Sequence, residues 1–248
     1  MIVCSDYDRT FKVNQQISEE NLQAVRRLRK LGHLFVINTG RTFQSFKEEY
    51  LKYSFEFDYA ICGSGSQIIN QSFQLIHQTT FSKETVKMII DDLVQSSATI
   101  IQYSNQDQWI VHRNTLENSF DQKLYQKLPN HINTFSCRFH TMEEAKQFFD
   151  MHSFQINAFL NYYSIDMVAP KIDKATGLHQ LVKQLDIDLS QVYVIGDGLN
   201  DLPMLLQFNG AVVQHGQDGV KKEIDKIVID VASYIDQLLN PELEKPVN

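Results

Sequence analysis

Long apolar runs are missing from this sequence, and so is any surplus of positive charge. No stretch approaches the ~20 apolar residues of a membrane-spanning helix. Asp6 and Asp8 interrupt the apolar start at once, which does not fit a secretory leader. A cytoplasmic protein without a membrane partner is expected. Lys and Arg total 23 against 30 Asp and Glu, a formal net charge of -7. A nucleic-acid partner is therefore not expected, since phosphate contacts need a basic face. A small anionic substrate stays open, because a local metal and lysine can outweigh a distant net charge. Cysteine is scarce. Cys4, Cys62 and Cys137 are odd in number and far apart, which excludes a disulfide frame or cysteine zinc site and suits buried small hydrophobes. The eight histidines are scattered rather than spaced as ligands. No repeat or low-complexity segment is present, and nothing reports oligomeric state.

What is there is an alternation of strand and helix. An apolar strand over 2–5 is followed by a helix capped by Ser18, with Leu22, Val25, Leu28 and Leu31 on one face and Gly32 as its stop. The run 34–37 reads as a strand buried on both sides. A helix around Phe46 and Tyr50 and a strand over 58–62 complete a β-α-β-α-β order, which predicts a parallel sheet covered by helices. The middle of the chain breaks this rhythm. A helix through Val86, Ile89, Ile90, Leu93 and Val94 precedes paired strands over 98–103 and 108–112, joined across 104–107. A strand over 135–139 and a helix with a Thr141–Glu144 capping box follow. A hairpin over 154–160 and 163–168 closes the segment. The alternation then returns, with a helix from Lys174, strands over 191–195, 211–213 and 227–229, and short helices between and after them. The fold class expected is α/β. A Rossmann-like parallel-sheet core over 1–80 and 165–248 would carry an inserted α+β cap domain over 81–164. The tail 241–248 reads as frayed.

The chemistry gathers at strand ends, where ligands of open α/β sheets bind. The first strand opens into D-Y-D-R-T over 6–10, with two carboxylates one residue apart. Such a pair repels unless a cation or a proton relieves it. It reads as a nucleophile, Asp6, with an acid/base partner, Asp8, and Thr10 to orient the loop or bind phosphate. Thr39-Gly40-Arg41 supplies a hydroxyl and backbone N–H groups for phosphoryl oxygens. Lys174 opens a helix, where its ammonium can neutralise nucleophile and phosphate. G-D-G-L-N-D over 196–201 offers Asp197 as a direct Mg²⁺ ligand, with Asn200 and Asp201 holding metal and loop. It lacks the later spaced acids of an EF-hand, and Gly63-Ser64-Gly65 is not a dinucleotide fingerprint.

These segments, in this order, resemble the motifs of haloacid dehalogenase superfamily phosphatases, in the Cof-like branch with a type IIB cap. The resemblance implies Mg²⁺ as cofactor and a small phosphorylated metabolite, often a sugar phosphate, as substrate. It implies Asp6 as nucleophile forming an aspartyl-phosphate and Asp8 as the acid/base residue whose backbone carbonyl also meets Mg²⁺. Asp197 is implied as the second carboxylate ligand, with Asp201 in the metal set. Thr10, Thr39, Gly40, Arg41, Lys174 and Asn200 are implied to bind phosphate or substrate. Three positions depart from the pattern. Arg9 stands where the family usually has glycine, Ser64 where asparagine is common, and His215-Gly216 where Asn-Ala is commoner. A phosphotransferase or phosphomutase on the same core, and a non-enzymatic module that binds a phosphorylated ligand, remain as alternatives.

Overall fold

The computed structural model describes residues 1–105, 108–115, 120, 128–152 and 156–240. The first strands and helices are β1 (Ile2–Ser5), α1 (Glu19–Lys30), β2 (Leu34–Asn38), α2 (Phe43–Tyr53), β3 (Tyr59–Cys62), β4 (Gln67–Asn70) and β5 (Leu75–Gln78). The middle contributes α3 (Lys83–Gln95), β6 (Ile100–Asn105), β7 (Gln108–Arg113), β8 (Ile132–Arg138), α4 (Met142–His152), β9 (Asn157–Asn161) and β10 (Ser164–Val168). The last part holds α5 (Lys174–Gln184), β11 (Val192–Gly196), α6 (Leu202–Gln207), β12 (Asn209–Val213), α7 (Asp218–Lys221), β13 (Ile227–Val228) and α8 (Val231–Leu239).

Two sheets result. The larger runs β13-β12-β11-β1-β2-β3-β4-β5. Its strands are parallel from β13 to β3, and β4 and β5 add an antiparallel edge. Their apolar runs are continuous because both faces are covered. Val3, Phe35 and Ile37 pack on one side with residues of α1, α2 and α8. Ile2, Cys4 and Val36 pack on the other with Leu178, Leu181 and Val182 of α5. All three cysteines are buried and unpaired. The smaller sheet, β7-β6-β8-β10-β9, is antiparallel throughout. It has a hydrophobic cluster of its own, in which Ile89, Ile90 and Leu93 of α3 and Phe148 of α4 meet Tyr103, Phe135, Ile165 and Met167. The architecture is thus an α/β Rossmann-like core with a separate β-sheet cap. Among the described residues, no helix is long and apolar enough to cross a membrane.

Two features differ from the sequence pattern. The β4–β5 hairpin was not foreseen, because each strand is only four residues long and β5 is largely exposed, so it carries no apolar run. Residues 165–168, inside the core by the domain bound but in the closing hairpin by the strand pattern, pair with β8 and β9 in the smaller sheet, as the hairpin implies. The chain returns to the core after Val168, not at 164. Residues 106–107 of the expected joint over 104–107, residues 154–155 at the start of the expected strand over 154–160, and the tail 241–248 lie outside the described residues.

β1 is central, paired in parallel with β2 on one side and β11 on the other. Strand order therefore reverses beside β1, and the loops after β1, β2, β3 and β11 meet above that crevice. The turn after β3 also seats α5. Gly65 has φ +107°, and a Cβ there would strike the carbonyl of Asp173, the α5 N-cap. A Cβ on Gly177 would stand 2.6 Å from the Gly65 Cα. Gly65→Ala therefore forces α5 away from the sheet. A loss of about 3 kcal/mol in urea-unfolding stability is expected, from strain and backbone overlap together. An unchanged unfolding midpoint would show that α5 is free to shift.

Candidate active site

Alternation along D-Y-D places the two carboxylates. Tyr7 is fully buried against Phe11, Phe46 and Phe55, and its hydroxyl donates to Glu49 Oε2 at 3.0 Å. With Tyr7 pinned in the core, its neighbours border the cavity above the strand ends. Asp6 is tied down by its own N–H, which donates to the Ile195 carbonyl at 2.9 Å.

Lys174 is the hub. Asp173 caps α5 in a reciprocal box with Thr176, and the Asn38 carboxamide donates to the Lys174 carbonyl at 2.8 Å. This fixes a lysine with only 1% exposure. Its Nζ donates to Asp6 Oδ1 at 2.5 Å and to Asp201 Oδ1 at 2.5 Å. Burial alone would lower its pKa, but Asp201 and Asp6 outweigh burial and raise it, so the ammonium stays charged. The second oxygen of Asp201 accepts the N–H groups of Asp197 and Gly198, each at 3.0 Å. Asp201 thereby locks the loop that presents Asp197. Thr10 Oγ1 donates to Asp197 Oδ1 at 3.2 Å. Carboxylate oxygens of Asp6, Asp197 and Asp201 all lie within 4.8 Å of one another.

Asp8 stands apart from that cluster. Arg41 grips it with Nε–Oδ2 at 2.5 Å and Nη2–Oδ1 at 2.9 Å, and Lys12 Nζ lies 3.1 Å from Oδ1. Burial raises the Asp8 pKa, but the hydrogen bonds and charges of Arg41 and Lys12 carry it below the ordinary value. Glu49 completes this second network, 2.6 Å from Lys12 and 3.3 Å from Arg41. Lys12 and Glu49 were not foreseen in the sequence. A lysine two residues beyond Thr10 and a glutamate on an amphipathic helix carry no signal until Lys12 is seen to be 8% exposed.

The remaining expected residues border one cavity of about 980 Å³ between the core and the smaller sheet. Thr39 accepts the Arg41 N–H on its side-chain oxygen at 3.1 Å and keeps its hydroxyl proton to donate. Gly40 and Asn200 line the wall, Asn200 exposed rather than buried in the metal loop. The guanidinium of Arg41, by contrast, is engaged with Asp8. Two of the three departures now have a common cost. Arg9 has φ +69° and Ser64 φ +50°, both left-handed, a region suited to glycine and asparagine. The third is linked to the first, since His215 Nε2 donates to the Arg9 carbonyl at 2.6 Å. Arg9 Nε lies 3.3 Å from Asp197 Oδ2.

The residues fit a divalent cation. Three close carboxylates share one buried ammonium and, at the rim, a guanidinium that is 57% exposed. That leaves negative charge in a dry place, which a cation would offset. An all-oxygen donor set suits Mg²⁺. Fold and site together define an α/β enzyme with a carboxylate cluster able to hold a divalent metal at the sheet's switch point, roofed by a β-sheet cap. The chain belongs to the haloacid dehalogenase-like hydrolases, whose sequence profile matches residues 3–233. A haloacid dehalogenase-like hydrolase from B. subtilis shares the fold, with a TM-score of 0.84 at 18% identity over 96% of this chain and 99% of the other. One from Bacteroides thetaiotaomicron gives 0.78 at 20% identity over 96% and 98%. In sequence, the chain is 25% identical over 230 residues to a 5-amino-6-(5-phospho-D-ribitylamino)uracil phosphatase of Bacillus subtilis (strain 168), covering 91% of this chain and 88% of the relative.

Burial pushes the Asp6 carboxyl up to about 8, against the pull of Lys174 and helped by Asp201 and Asp197. Without metal, Asp6 binds its proton more tightly folded than unfolded. Its contribution to stability is full below the unfolded value of 3.8 and is lost as pH rises through about 8. A metal must displace that proton, so Mg²⁺ affinity should climb between about pH 6 and pH 8 with proton release. Titration calorimetry in buffers of different ionisation enthalpy checks this, and a flat affinity would contradict it.

Arg9→Gly removes a cation beside Asp197 and should tighten Mg²⁺ binding roughly threefold. Relief of left-handed strain, about 1 kcal/mol, offsets the extra unfolded-state freedom of glycine, so Tm should change little. Weaker Mg²⁺ binding in the variant would overturn this account of Arg9.

Proposed function

We propose that this hydrolase is a Mg²⁺-dependent phosphatase of a small phosphorylated metabolite, working through an aspartyl-phosphate on Asp6. The observation that carries the reading is the buried Asp6–Lys174–Asp201 array beside Asp197, with a second carboxylate, Asp8, on the same short loop. Asp6 and Asp197 would hold Mg²⁺, together with the Asp8 backbone carbonyl, and Asp201 would brace them. Bound Mg²⁺ would supply charge neutralisation for the transferring phosphoryl group.

An Asp6 carboxylate oxygen attacks phosphorus, and the bond from phosphorus to the leaving oxygen breaks. Asp8 gives that oxygen a proton. Water then attacks the same phosphorus, Asp8 takes its proton, and the Asp6–phosphate bond breaks to release phosphate. Lys174 keeps Asp6 aligned and balances charge in both halves. Thr39 and the N–H groups of the Gly40 turn orient the phosphoryl oxygens, and Asn200 faces the substrate. The pairing of Asp8 with Arg41 and Lys12 holds it ionised, the state required for the water step. For the first step Asp8 must leave Arg41 and gain a proton. The unit from 81 to 168 acts as the cap that closes over the rest of the substrate. The relative named as an aminouracil ribityl-phosphate phosphatase supports a phosphomonoester of metabolite size.

The test is a panel of phosphorylated metabolites incubated with Mg²⁺, with release of inorganic phosphate followed. Turnover should vanish in chelator and return with Mg²⁺. Asp6→Asn should lose essentially all of it, and Asp8→Asn should lose ~10²–10⁴-fold, the usual share of proton transfer. Phosphate passed to a sugar instead of water would establish a phosphotransferase. Tight ligand binding with no turnover of any panel member would make the chain a binding module.

A further inference from the structure

The smaller sheet turns a polar face to the catalytic cavity, and period-two alternation shows how. Register places Gln102 of β6 opposite Ser136 of β8, Ser136 opposite Asp166 of β10, and Asp166 opposite Phe159 of β9. Their chain neighbours Ile101, Tyr103, Phe135, Ile165 and Met167 point the other way, into the cluster with α3 and α4. The Gln102–Ser136–Asp166–Phe159 row therefore faces the cavity, which all four residues line together with Asp6, Asp8 and Asp197. Trp109, 42% exposed on β7, also lines the cavity.

Asp166 is the charged member of that row. A carboxylate offers about four acceptor sites. Ser136 stands directly opposite it in the strand register, and its hydroxyl favours the charged form against burial. The cations that line the same cavity are engaged elsewhere, Arg9 with Asp197 and Arg41 with Asp8. Burial holds the Asp166 carboxyl above its usual range, which marks a group short of donors. A half-buried acceptor facing the leaving-group side of a cavity is costly unless a ligand supplies the donors.

We propose that Asp166 is a specificity-determining residue that selects phosphomonoesters whose leaving group carries hydrogen-bond donors, a protonated amine above all, and rejects those carrying a carboxylate. This rests on the phosphatase reading of the same cavity. Gln102, Ser136 and Ser164 add polar lining to the same cavity, while Trp109 and Phe159 line it with apolar rings from the two edge strands. The cap thereby sorts leaving groups by charge, while the core handles the phosphoryl group common to all.

The experiment compares glucosamine 6-phosphate, glucose 6-phosphate and 6-phosphogluconate, which differ in amine, neutral and carboxylate character. kcat/KM with Mg²⁺ is measured for the full chain and for Asp166→Asn, each normalised to its own turnover of p-nitrophenyl phosphate. Binding of the same three esters to Asp6→Asn and to Asp6→Asn/Asp166→Asn is measured by calorimetry. The wild-type order should be amine, neutral, carboxylate. Asp166→Asn should compress the amine-to-carboxylate ratio by about tenfold or more, the scale of one lost charged hydrogen bond. The double variant should show the same compression in affinity. A ratio unchanged by Asp166→Asn, or a wild type that prefers the carboxylate ester, overturns the role of Asp166 and leaves the phosphatase reading intact. Failure of the wild type to hydrolyse p-nitrophenyl phosphate, together with no binding of any ester, removes the phosphatase reading and this inference with it.

Discussion

A single buried ammonium holds the site together. Lys174 lies 2.5 Å from both Asp6 and Asp201, and each of those contacts organises a different loop. Through Asp6 it reaches the end of β1. Through Asp201, which also accepts the Asp197 and Gly198 N–H groups, it sets the loop after β11. An ammonium this deep is tolerable only with both carboxylates beside it. The carboxylates in turn exceed what one ammonium can balance once Asp197 is counted. The remainder of negative charge is what makes the crevice a place for a divalent cation and an electrophilic phosphorus.

The fold serves that constraint. β1 pairs with β2 and β11 on its two sides, so the loop carrying Asp6 and Asp8 rises where strand order reverses. The capping box at Asp173, the Asn38 contact and the glycine pair Gly65–Gly177 all hold α5 against the sheet at the position that sends Lys174 inward. A second network, Asp8 with Arg41, Lys12 and Glu49, is separate from the first and keeps the other carboxylate ionised. One loop thus carries two carboxylates in opposite electrostatic states, Asp6 pushed toward protonation and Asp8 away from it. In the proposed reaction both states must reverse before the first step, with a bound cation displacing the Asp6 proton and Asp8 leaving Arg41 to gain one.

Much of this was legible in the sequence, because buried parallel strands read as unbroken apolar runs and the polar clusters stand at their ends. The Ser18 cap, the Thr141–Glu144 box and the strands carrying Asp6, Thr39 and Asp197 fall where the pattern placed them. What was not legible depends on contacts between distant segments. Arg41 looked like part of a phosphate turn, but its guanidinium is bound to Asp8, 33 residues away. Lys12 and Glu49 are ordinary surface types made internal by the turn that buries Tyr7. The β4–β5 hairpin is too short and too exposed to carry a period. Strand β10 pairs with β9 as the closing hairpin implied, and only the domain bound drawn at 165 cuts through it. The left-handed backbone at Arg9 and Ser64 explains why other residues are usual there, a point that spacing alone does not reveal.

The central claim is that Asp6 carries the phosphoryl group. Its most direct test is a single turnover with enzyme in excess over a good phosphomonoester substrate, acid-quenched over a series of times on the millisecond scale. Each quenched sample is digested and the peptides are weighed. The account predicts a base-labile phosphoryl group on the peptide containing Asp6, rising and falling as product forms. Product formation without a phosphoryl group on that peptide at any time, or with one on a different residue, would contradict it.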